Sequence, residues 1–271
     1  MSSHAQTPKV LVLTGGSSGI GLATAEYFVA KGWLVCELSR HGHDQGGIIH
    51  YSADVCDAVV LQKTFADIRT RFGRIDVVFC NAGFGISGAA EFTASAESER
   101  QMRVNYHGAV NTFRAAVPHL REQGFGTIMF TASVAGALPI PFQAHYSASK
   151  AAISAFARAA DLEIRPFGVR AVAVQLGDVK TGFTAAREKS LAGESVYGKR
   201  IVRSVAQMER DEQSGMPSTV IARAVYAIAN KRRPAPLYTV GFAYQCIMLL
   251  SRLLPCRTAS WILSLLYGAN R

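Results

Sequence analysis

Short apolar runs alternate along this chain with longer segments of helical periodicity. Parallel neighbouring strands need a crossover of a dozen or more residues, usually a helix, so this alternation predicts a parallel sheet covered by helices on both faces. The predicted strands are Val10–Leu13, Leu34–Leu38, Ile48–Tyr51, Val77–Cys80, Gly126–Phe130 and Val169–Gln175, and the predicted helices are Ile20–Lys31, Ala58–Phe72, Ser98–Gln123 and Ala144–Arg165. We therefore expect an α/β fold with a doubly wound, Rossmann-like sheet.

Length and composition favour a single domain in a reducing compartment. The 271 residues are 49% hydrophobic and 18% charged, which suits one α/β domain with a sizeable core. The segment before Val10 is polar and is not expected to be a signal peptide. The five cysteines are odd in number and form no Cys-x-x-Cys pair, which predicts no disulfide and no metal site and favours a cytoplasmic location.

A glycine-rich loop, T-G-G-S-S-G-I-G over residues 14–21, links the first strand to the first helix. Glycines permit a close approach of the backbone to a pyrophosphate, and a helix N-terminus offers unpaired N–H groups to phosphates. The alternative is a plain structural turn, but the strand–turn–helix context favours a dinucleotide. The residues expected to bind it are Gly15, Ser17, Ser18, Gly19, Ile20 and Gly21.

The end of the second strand indicates which dinucleotide binds. Enzymes selective for NAD usually carry an acidic residue there, which holds the ribose 2′-hydroxyl. This chain has Ser39 and Arg40 instead, and the planar guanidinium of Arg40 suits a 2′-phosphate. Glu37 is interpreted as covered or outward-facing rather than as a ribose ligand. NADP(H) is therefore favoured over NAD(H).

Tyr146 and Lys150 stand four residues apart at the start of a predicted helix, where they share a face. A free tyrosine titrates near pH 10, and a nearby cation lowers that pKa toward the range of a proton shuttle. Such a pair is common by chance, but other polar residues accompany it. Ser133 lies just past a strand, Asn105 lies inside a helix that asparagine disfavours, and Asn81 ends the fourth strand, at the sheet edge where ligands bind.

In order and spacing, these features resemble the short-chain dehydrogenase/reductase family, in its compact single-domain branch, over about residues 9–182. The resemblance implies that Tyr146 is the general acid/base and that Lys150 lowers its pKa and binds the nicotinamide ribose. It implies that Ser133 polarises the carbonyl and that Asn105 anchors a water chain.

The resemblance also implies further cofactor contacts. Asp54 and Val55 match the adenine position, Asn81, Ala82 and Gly83 follow the fourth strand, and Thr181, with Val179 near it, caps the pyrophosphate and the nicotinamide amide. The family usually has Pro-Gly before that threonine, whereas this chain reads L-G-D-V-K-T over residues 176–181. Because of that departure, the resemblance does not fix the position of the nicotinamide ring. It still implies the same chemistry.

Apolar residues around the predicted catalytic centre point to a lipophilic substrate. The loop at residues 135–142 is expected to line the pocket, together with Phe84, Ile86 and Phe183, although half of these positions would equally suit the core. His145 and His107 are interpreted as structural. The chain most resembles the hydroxysteroid and retinol dehydrogenases, which implies a steroid, retinoid or lipid-like alcohol or ketone.

The last third of the chain differs from the rest. Residues 180–271 carry 14 Lys and Arg residues and 5 Asp and Glu residues, a net charge of +9 out of +10 for the whole chain. Residues 1–241 are predicted to form the NADP-binding catalytic domain, with residues 181–215 as a substrate lid or helix pair. Residues 242–271 form an apolar, basic tail whose halves are too short to cross a bilayer.

The basic cluster at residues 231–233 before this tail suggests peripheral contact with a membrane surface. A lid over the pocket or a contact within a homodimer or homotetramer remains the alternative. No nucleic-acid signature accompanies the positive charge.

Three functions remain open from the sequence. The first is an NADP(H)-dependent oxidoreductase that interconverts a lipophilic secondary alcohol and ketone. The second is a β-ketoacyl thioester reductase, whose acidic carrier the basic region would attract. The third is a non-catalytic NADP-binding regulator, against which the complete set of predicted catalytic residues argues.

Overall fold

Strands and helices alternate through residues 7–268, which the computed structural model describes; the ends of the predicted domain and tail, residues 1–6 and 269–271, lie outside this range. The strands in it are β1 (Val10–Thr14), β2 (Leu34–Ser39), β3 (Ile48–Ser52), β4 (Val77–Cys80), β5 (Ile86–Ser87), β6 (Gly126–Ser133), β7 (Val169–Leu176), β8 (Val179–Lys180), β9 (Glu188–Lys189), β10 (Met216–Pro217) and β11 (Leu237–Thr239). The helices in it are α1 (Gly19–Val29), α2 (Ala58–Phe72), α3 (Ser95–Met102), α4 (Ala109–Gln123), α5 (Ala144–Ile164), α6 (Phe183–Ala186), α7 (Glu194–Tyr197), α8 (Arg200–Gln213), α9 (Ser218–Ala229), α10 (Phe242–Leu253) and α11 (Cys256–Leu266).

Seven of the described strands form one parallel sheet in the order β3-β2-β1-β4-β6-β7-β11. The chain builds outward from β1 to β3, then returns and builds from β4 to β11 on the other side. The order therefore reverses between β1 and β4, and in open sheets of this kind ligands bind beside that reversal, at the carboxyl ends of the strands. The predicted doubly wound, Rossmann-like sheet is confirmed.

Successive strand residues face two apolar layers. Leu13 of β1 packs in one cluster with Phe28 of α1 and Ile221 of α9. Its neighbour Val12 belongs to the cluster on the other face, with Phe65 of α2 and residues of α4 and α5. All five of these side chains are fully buried, and each such burial contributes about 1.5–3 kcal/mol. Because both faces of the sheet are packed in this way, the strand ends are held in fixed positions, which a ligand-binding site requires.

The predicted helix Ser98–Gln123 is interrupted. It begins earlier, at Ser95, and a π-helical turn over Arg103–Gly108 separates α3 from α4. Such turns insert one extra residue and are frequent at functional sites. Asn105 lies in this turn, so the residue that disfavours a regular helix occupies the irregular part. Ser133 also differs slightly from expectation, since it is the last residue of β6 rather than a residue beyond it.

The predicted lid and tail are helical. Residues 181–215 contain α6, α7 and the longer, amphipathic α8. The tail is a helical pair, α10 and α11, which a short turn connects. Among residues 7–268, no helix combines the length and the apolar character needed to cross a membrane.

The basic cluster Lys231-Arg232-Arg233 does not lie beside the tail. It precedes β11 at the amino ends of the strands, where Lys231 and Arg232 line a small cavity with Lys9 and Gly126. The tail follows β11 at the opposite, carboxyl edge. The prediction that cluster and tail form one membrane-facing pattern is therefore wrong, because a strand of the sheet separates them.

Candidate active site

A cavity of about 1260 Å³ lies at the carboxyl edge of the sheet. Most residues predicted to bind the cofactor or to catalyse line it: Gly15, Ser17, Ser18, Gly19, Ile20, Ser39, Arg40, Asp54, Val55, Asn81, Ala82, Gly83, Ser133, Tyr146, Lys150, Val179 and Thr181. The ends of β1, β2, β4, β6 and β7 bring them together. Gly21 and Asn105 do not line the cavity.

Gly21 supports the loop from behind. A Cβ at this position would lie 2.1 Å from the carbonyl oxygen of Gly15, so only glycine lets α1 pack this closely on the loop. Gly15 itself has φ of +68°, and a Cβ there would meet the Cα of Ala82 at 2.9 Å. The prediction that Gly21 contacts the cofactor is therefore corrected to a packing role.

The N-terminus of α1 faces the cavity. Its N-cap residue Ser18 makes no side-chain capping bond, which leaves first-turn N–H groups for a ligand. Glu37 is covered, as expected: one carboxylate oxygen accepts the Gly16 N–H at 3.2 Å, and the other lies 2.5 Å from Nδ1 of His50. This arrangement holds the loop open toward the cavity and fits a pyrophosphate at the helix end.

Two arginines, Arg40 and Arg103, lie at the other end of the dinucleotide region. Arg40 is exposed at the cavity rim, and His41 and Arg103 line the same cavity. Arg103 belongs to the π-helical turn, which the sequence did not predict, so no local pattern associated it with Arg40. The positive rim fits a phosphate on the adenosine ribose.

Lys150 is buried and close to Tyr146. Its Nζ donates a hydrogen bond to the carbonyl oxygen of Thr131 at 2.8 Å and lies 5.7 Å from the centre of the Tyr146 ring. Burial lowers the pKa of Lys150 to about 8. Burial likewise raises the pKa of Tyr146 to about 12, and a hydrogen bond with Ser133 opposes this rise.

The expected lowering of the Tyr146 pKa by Lys150 is therefore wrong for the protein alone. Burial of the phenolate raises the Tyr146 pKa by more than the hydrogen bond with Ser133 lowers it. The consequence is a neutral phenol at neutral pH. A neutral phenol can donate its proton to a carbonyl oxygen, which is the reduction direction.

Asn105 joins three parts of the site. Its side-chain oxygen accepts the Phe84 N–H, and its amide donates to the Phe84 carbonyl oxygen, both at 3.0 Å. The amide also donates to the Ser149 hydroxyl at 3.1 Å, which in turn donates to the Tyr146 carbonyl oxygen at 2.8 Å. Asn105 thus ties the loop after β4 to the start of α5, and the water-chain role stays a prediction.

Residues of the 181–215 segment and of the tail line the far end of the cavity, many of them with apolar side chains. Phe84 and Phe183 line it as expected, whereas Ile86 is buried away from it and His145 does not reach it. From the loop at residues 135–142, Ala135, Leu138 and Ile140 line it. Met208 of α8 and six tail residues also line it, although the sequence singled out none of them: Ala243, Tyr244, Ile247, Leu263, Leu266 and Tyr267.

Gly177, the glycine that this chain shares with the Pro-Gly pattern, accommodates a residue of the tail. A Cβ at Gly177 would lie 2.2 Å from the Tyr244 ring, so the ring packs flat on this glycine. The Tyr244 hydroxyl accepts the Asp178 N–H at 2.9 Å and donates to the Asp178 carboxylate at 2.7 Å. Asp178 and Tyr244 both line the cavity.

Comparison with known proteins agrees with this geometry. Residues 9–192 match the profile described as short chain dehydrogenase. A 3-ketodihydrosphingosine reductase from Bacteroides thetaiotaomicron is 33% identical over 265 residues, which are 96% of this chain and 98% of that protein. An NADPH-dependent 1-acyldihydroxyacetone phosphate reductase from Saccharomyces cerevisiae is 31% identical over 258 residues, 89% of this chain and 85% of that protein. A short-chain dehydrogenase structure from Streptomyces avermitilis has a TM-score of 0.82 at 27% identity and covers 93% of this chain and 94% of its own.

Proposed function

The chain belongs to the short-chain dehydrogenase/reductase family and is an oxidoreductase that acts on CH–OH groups, and we propose that it reduces the ketone of a long-chain lipid with NADPH. The observation that most directly supports this proposal is that both tail helices line the catalytic cavity with apolar side chains, including Ile247 of α10 and Leu263 of α11. Two similar proteins are named as reductases of lipid ketones. Together these favour a long acyl chain over the steroid or retinoid of the first expectation.

The cofactor is NADP(H). Arg40 and Arg103 supply positive charge at the cavity rim, where the 2′-phosphate would lie, and the N-terminus of α1 would hold the pyrophosphate. The yeast relative is NADPH-dependent by name. These residues fit the phosphorylated dinucleotide better than its unphosphorylated form.

The protein's own residues supply the proton and the positioning, and NADPH, when bound, supplies a hydride. The neutral phenol of Tyr146 donates its proton to the carbonyl oxygen, and the Ser133 hydroxyl, which hydrogen-bonds Tyr146, holds that oxygen. Lys150, fixed by Thr131, stabilises the phenolate that remains. Asn105 keeps the start of α5, and with it Tyr146, in register with the loop after β4.

The exposed side of the tail fits the surface of a lipid bilayer. The turn between α10 and α11 exposes Leu253 and Leu254, and Arg252 and Arg257 flank them. An apolar tip between two cations suits the boundary between head groups and acyl chains of an anionic membrane. The inner side of the same helices forms the cavity wall, so one element would serve as both lid and peripheral membrane contact.

Homo-oligomerisation is part of the proposal. The outer face of α5 exposes Ala148, Ala151, Ala155 and Leu162, a smooth surface on which a second copy could pack. Light scattering of the purified protein tests this: a dimer or tetramer is expected, and a monomer at micromolar concentration would contradict it.

A panel of ketones of increasing chain length, assayed with NADPH, tests the proposed substrate class. Each buried methylene is worth about 0.8 kcal/mol, so kcat/KM should rise roughly fourfold per methylene until the cavity is filled. A flat dependence would contradict a long-chain substrate. Preference for a carrier-bound β-ketoacyl thioester would instead favour a β-ketoacyl thioester reductase. NADPH binding without turnover of any ketone would favour a non-catalytic NADP-binding regulator.

A further inference from the structure

The cavity carries opposite charges at its two ends. Arg40 and Arg103 lie at the cofactor end, whereas Asp178 and Glu212 line the substrate end. Glu212 is compensated, because it pairs with Arg187 and accepts a hydrogen bond from the Thr184 hydroxyl at 2.6 Å.

Asp178 is the carboxylate there that lacks its own cation. Among the described residues, the Asp178 carboxylate accepts one hydrogen bond, from the neutral Tyr244 hydroxyl at 2.7 Å. The nearest cation acting on it, Arg187, is already paired with Glu212, and Asp211 adds further negative charge close by. Within residues 7–268, no Lys or Arg forms an ion pair with Asp178.

Sheet register places Asp178 near the reacting carbonyl. Ser133 of β6 lies directly beside Leu176 of β7, and Asp178 follows two residues later. The Asp178 carboxylate is also close enough to the Tyr146 phenol to act on its pKa, which it raises. Asp178 and Tyr146 also line the same cavity.

We infer that Asp178 binds an ammonium group on the carbon beside the ketone, so that the preferred substrate is a long-chain 2-amino ketone. The inference rests on the proposed function and adds its head group. An ammonium would supply the cation that Asp178 lacks, and a charge-assisted hydrogen bond would form between them. A phosphate head group would instead face Asp178 and Glu212.

Tyr244 is a positioning residue for this contact. By accepting the Asp178 N–H and donating to its carboxylate, its hydroxyl fixes both the backbone and the side chain of Asp178. Since Tyr244 belongs to α10, seating of the tail and formation of the ammonium site are coupled. Gly177 permits the coupling because it leaves space for the ring.

Initial rates with NADPH test the inference on two substrates, a long-chain 2-amino-3-ketone and the same ketone without the amine. The wild type should prefer the amine by about tenfold to a hundredfold in kcat/KM, the range of one charge-assisted hydrogen bond. Asp178→Asn should lose this preference, because its kcat/KM should fall about tenfold to a hundredfold further for the amino ketone than for the amine-free ketone. Asp211→Asn, which removes an equal charge outside the cavity wall, should keep it.

A wild type without amine preference, or one that prefers a phosphate-bearing ketone, would overturn the inference. So would an Asp178→Asn variant that retains the preference or loses both activities equally. If that variant does not fold, Tyr244→Phe takes its place. KM should then rise several-fold more for the amino ketone than for the amine-free ketone, and an equal change in both KM values would overturn the inference.

Calorimetry with the NADP⁺ complex separates the inference from the proposed function. The ligands are the long-chain 2-amino alcohol and the alcohol without the amine. Tighter binding of the amine that Asp178→Asn abolishes would uphold the site even if no ketone is reduced. Reduction of both ketones with equal binding of both alcohols would uphold the proposed function and defeat the ammonium site.

Discussion

The Nζ atom of Lys150 lies 5.7 Å from the centre of the Tyr146 ring while its hydrogen bond goes to the Thr131 carbonyl oxygen at 2.8 Å. The two groups are thus neighbours whose pKa values burial moves apart, to about 12 for Tyr146 and to about 8 for Lys150. Tyr146 is a protonated acid across the physiological range. Of the two groups, Lys150 is the one whose pKa lies near the physiological range.

Lys150 should control the alkaline limb of the pH profile. Because its pKa is lowered, its charge is present below about pH 8 and is lost as the pH rises through that value. We expect kcat/KM for ketone reduction with NADPH to fall above about pH 8. Lys150→Arg should move this limb to higher pH, since arginine remains charged, whereas Lys63→Arg, on the exposed side of α2, should not. An unmoved limb in Lys150→Arg would assign it to another group.

Arg40 should determine the choice between NADPH and NADH. Arg40→Asp removes a cation at the cavity rim and adds a carboxylate that suits a ribose 2′-hydroxyl. A charge-assisted hydrogen bond is worth roughly 1.5–3 kcal/mol, so the ratio of kcat/KM values should move toward NADH by about tenfold to a hundredfold. Lys63→Asp makes the same charge change away from the cavity and serves as the control. If the ratio does not move, the 2′-phosphate contact lies elsewhere.

Arginines at the tail tip should attract anionic membranes. Arg252→Glu with Arg257→Glu should weaken sedimentation with anionic liposomes by about 2 kcal/mol, roughly thirtyfold, because each basic residue near the surface contributes about 1 kcal/mol. Added salt should weaken wild-type binding by screening. Charge reversal at Lys231, Arg232 and Arg233, which lie at the opposite edge of the sheet, should weaken liposome binding less. Equal losses from both sets, or no liposome binding by the wild type, would contradict the proposed tail contact.

Gly177 and Tyr244 should be energetically coupled. Gly177→Ala places a methyl group 2.2 Å from the Tyr244 ring, and overpacking of this kind costs about 1–3 kcal/mol. We expect the Tm to fall by about 2–10 °C. Tyr244→Ala in the same chain should recover much of the loss, and Gly182→Ala, where a Cβ meets nothing within 4 Å, should leave the Tm unchanged. Additive effects of the Gly177 and Tyr244 changes would show that the ring does not pack on the glycine.

Local sequence patterns were sufficient for most of the sheet. Ala58–Phe72 and Val77–Cys80 have the predicted bounds because each is a periodic segment between clear breakers, such as the N-cap Asp57 and Gly73 in the left-handed conformation. The glycine loop is equally local, since strand, turn and helix follow one another directly. These elements depend on neighbouring residues, which a single sequence displays.

The unpredicted features depend on residues distant in sequence. The bond between Asp178 and Tyr244 spans 66 positions, and no local pattern of α10 indicates which loop it contacts. The π-helical turn at Asn105 exists where a side chain bonds the main chain of Phe84, 21 positions earlier. The rise in the Tyr146 pKa is likewise a property of the folded interior: the spacing to Lys150 indicated proximity, but not how much burial would oppose it.

Transfer of a labelled hydride tests the central claim, that Tyr146 donates a proton to a lipid ketone while NADPH reduces it. The wild type is supplied with NADPH deuterated at the transferable position of the nicotinamide and a long-chain ketone, and mass spectrometry locates the label in the product. One deuterium on the carbinol carbon is predicted for the wild type. Tyr146→Phe should still bind NADPH but should form this product about 10²–10⁴-fold more slowly. An unlabelled alcohol, or a Tyr146→Phe variant that retains more than about a tenth of the wild-type kcat, would contradict the account.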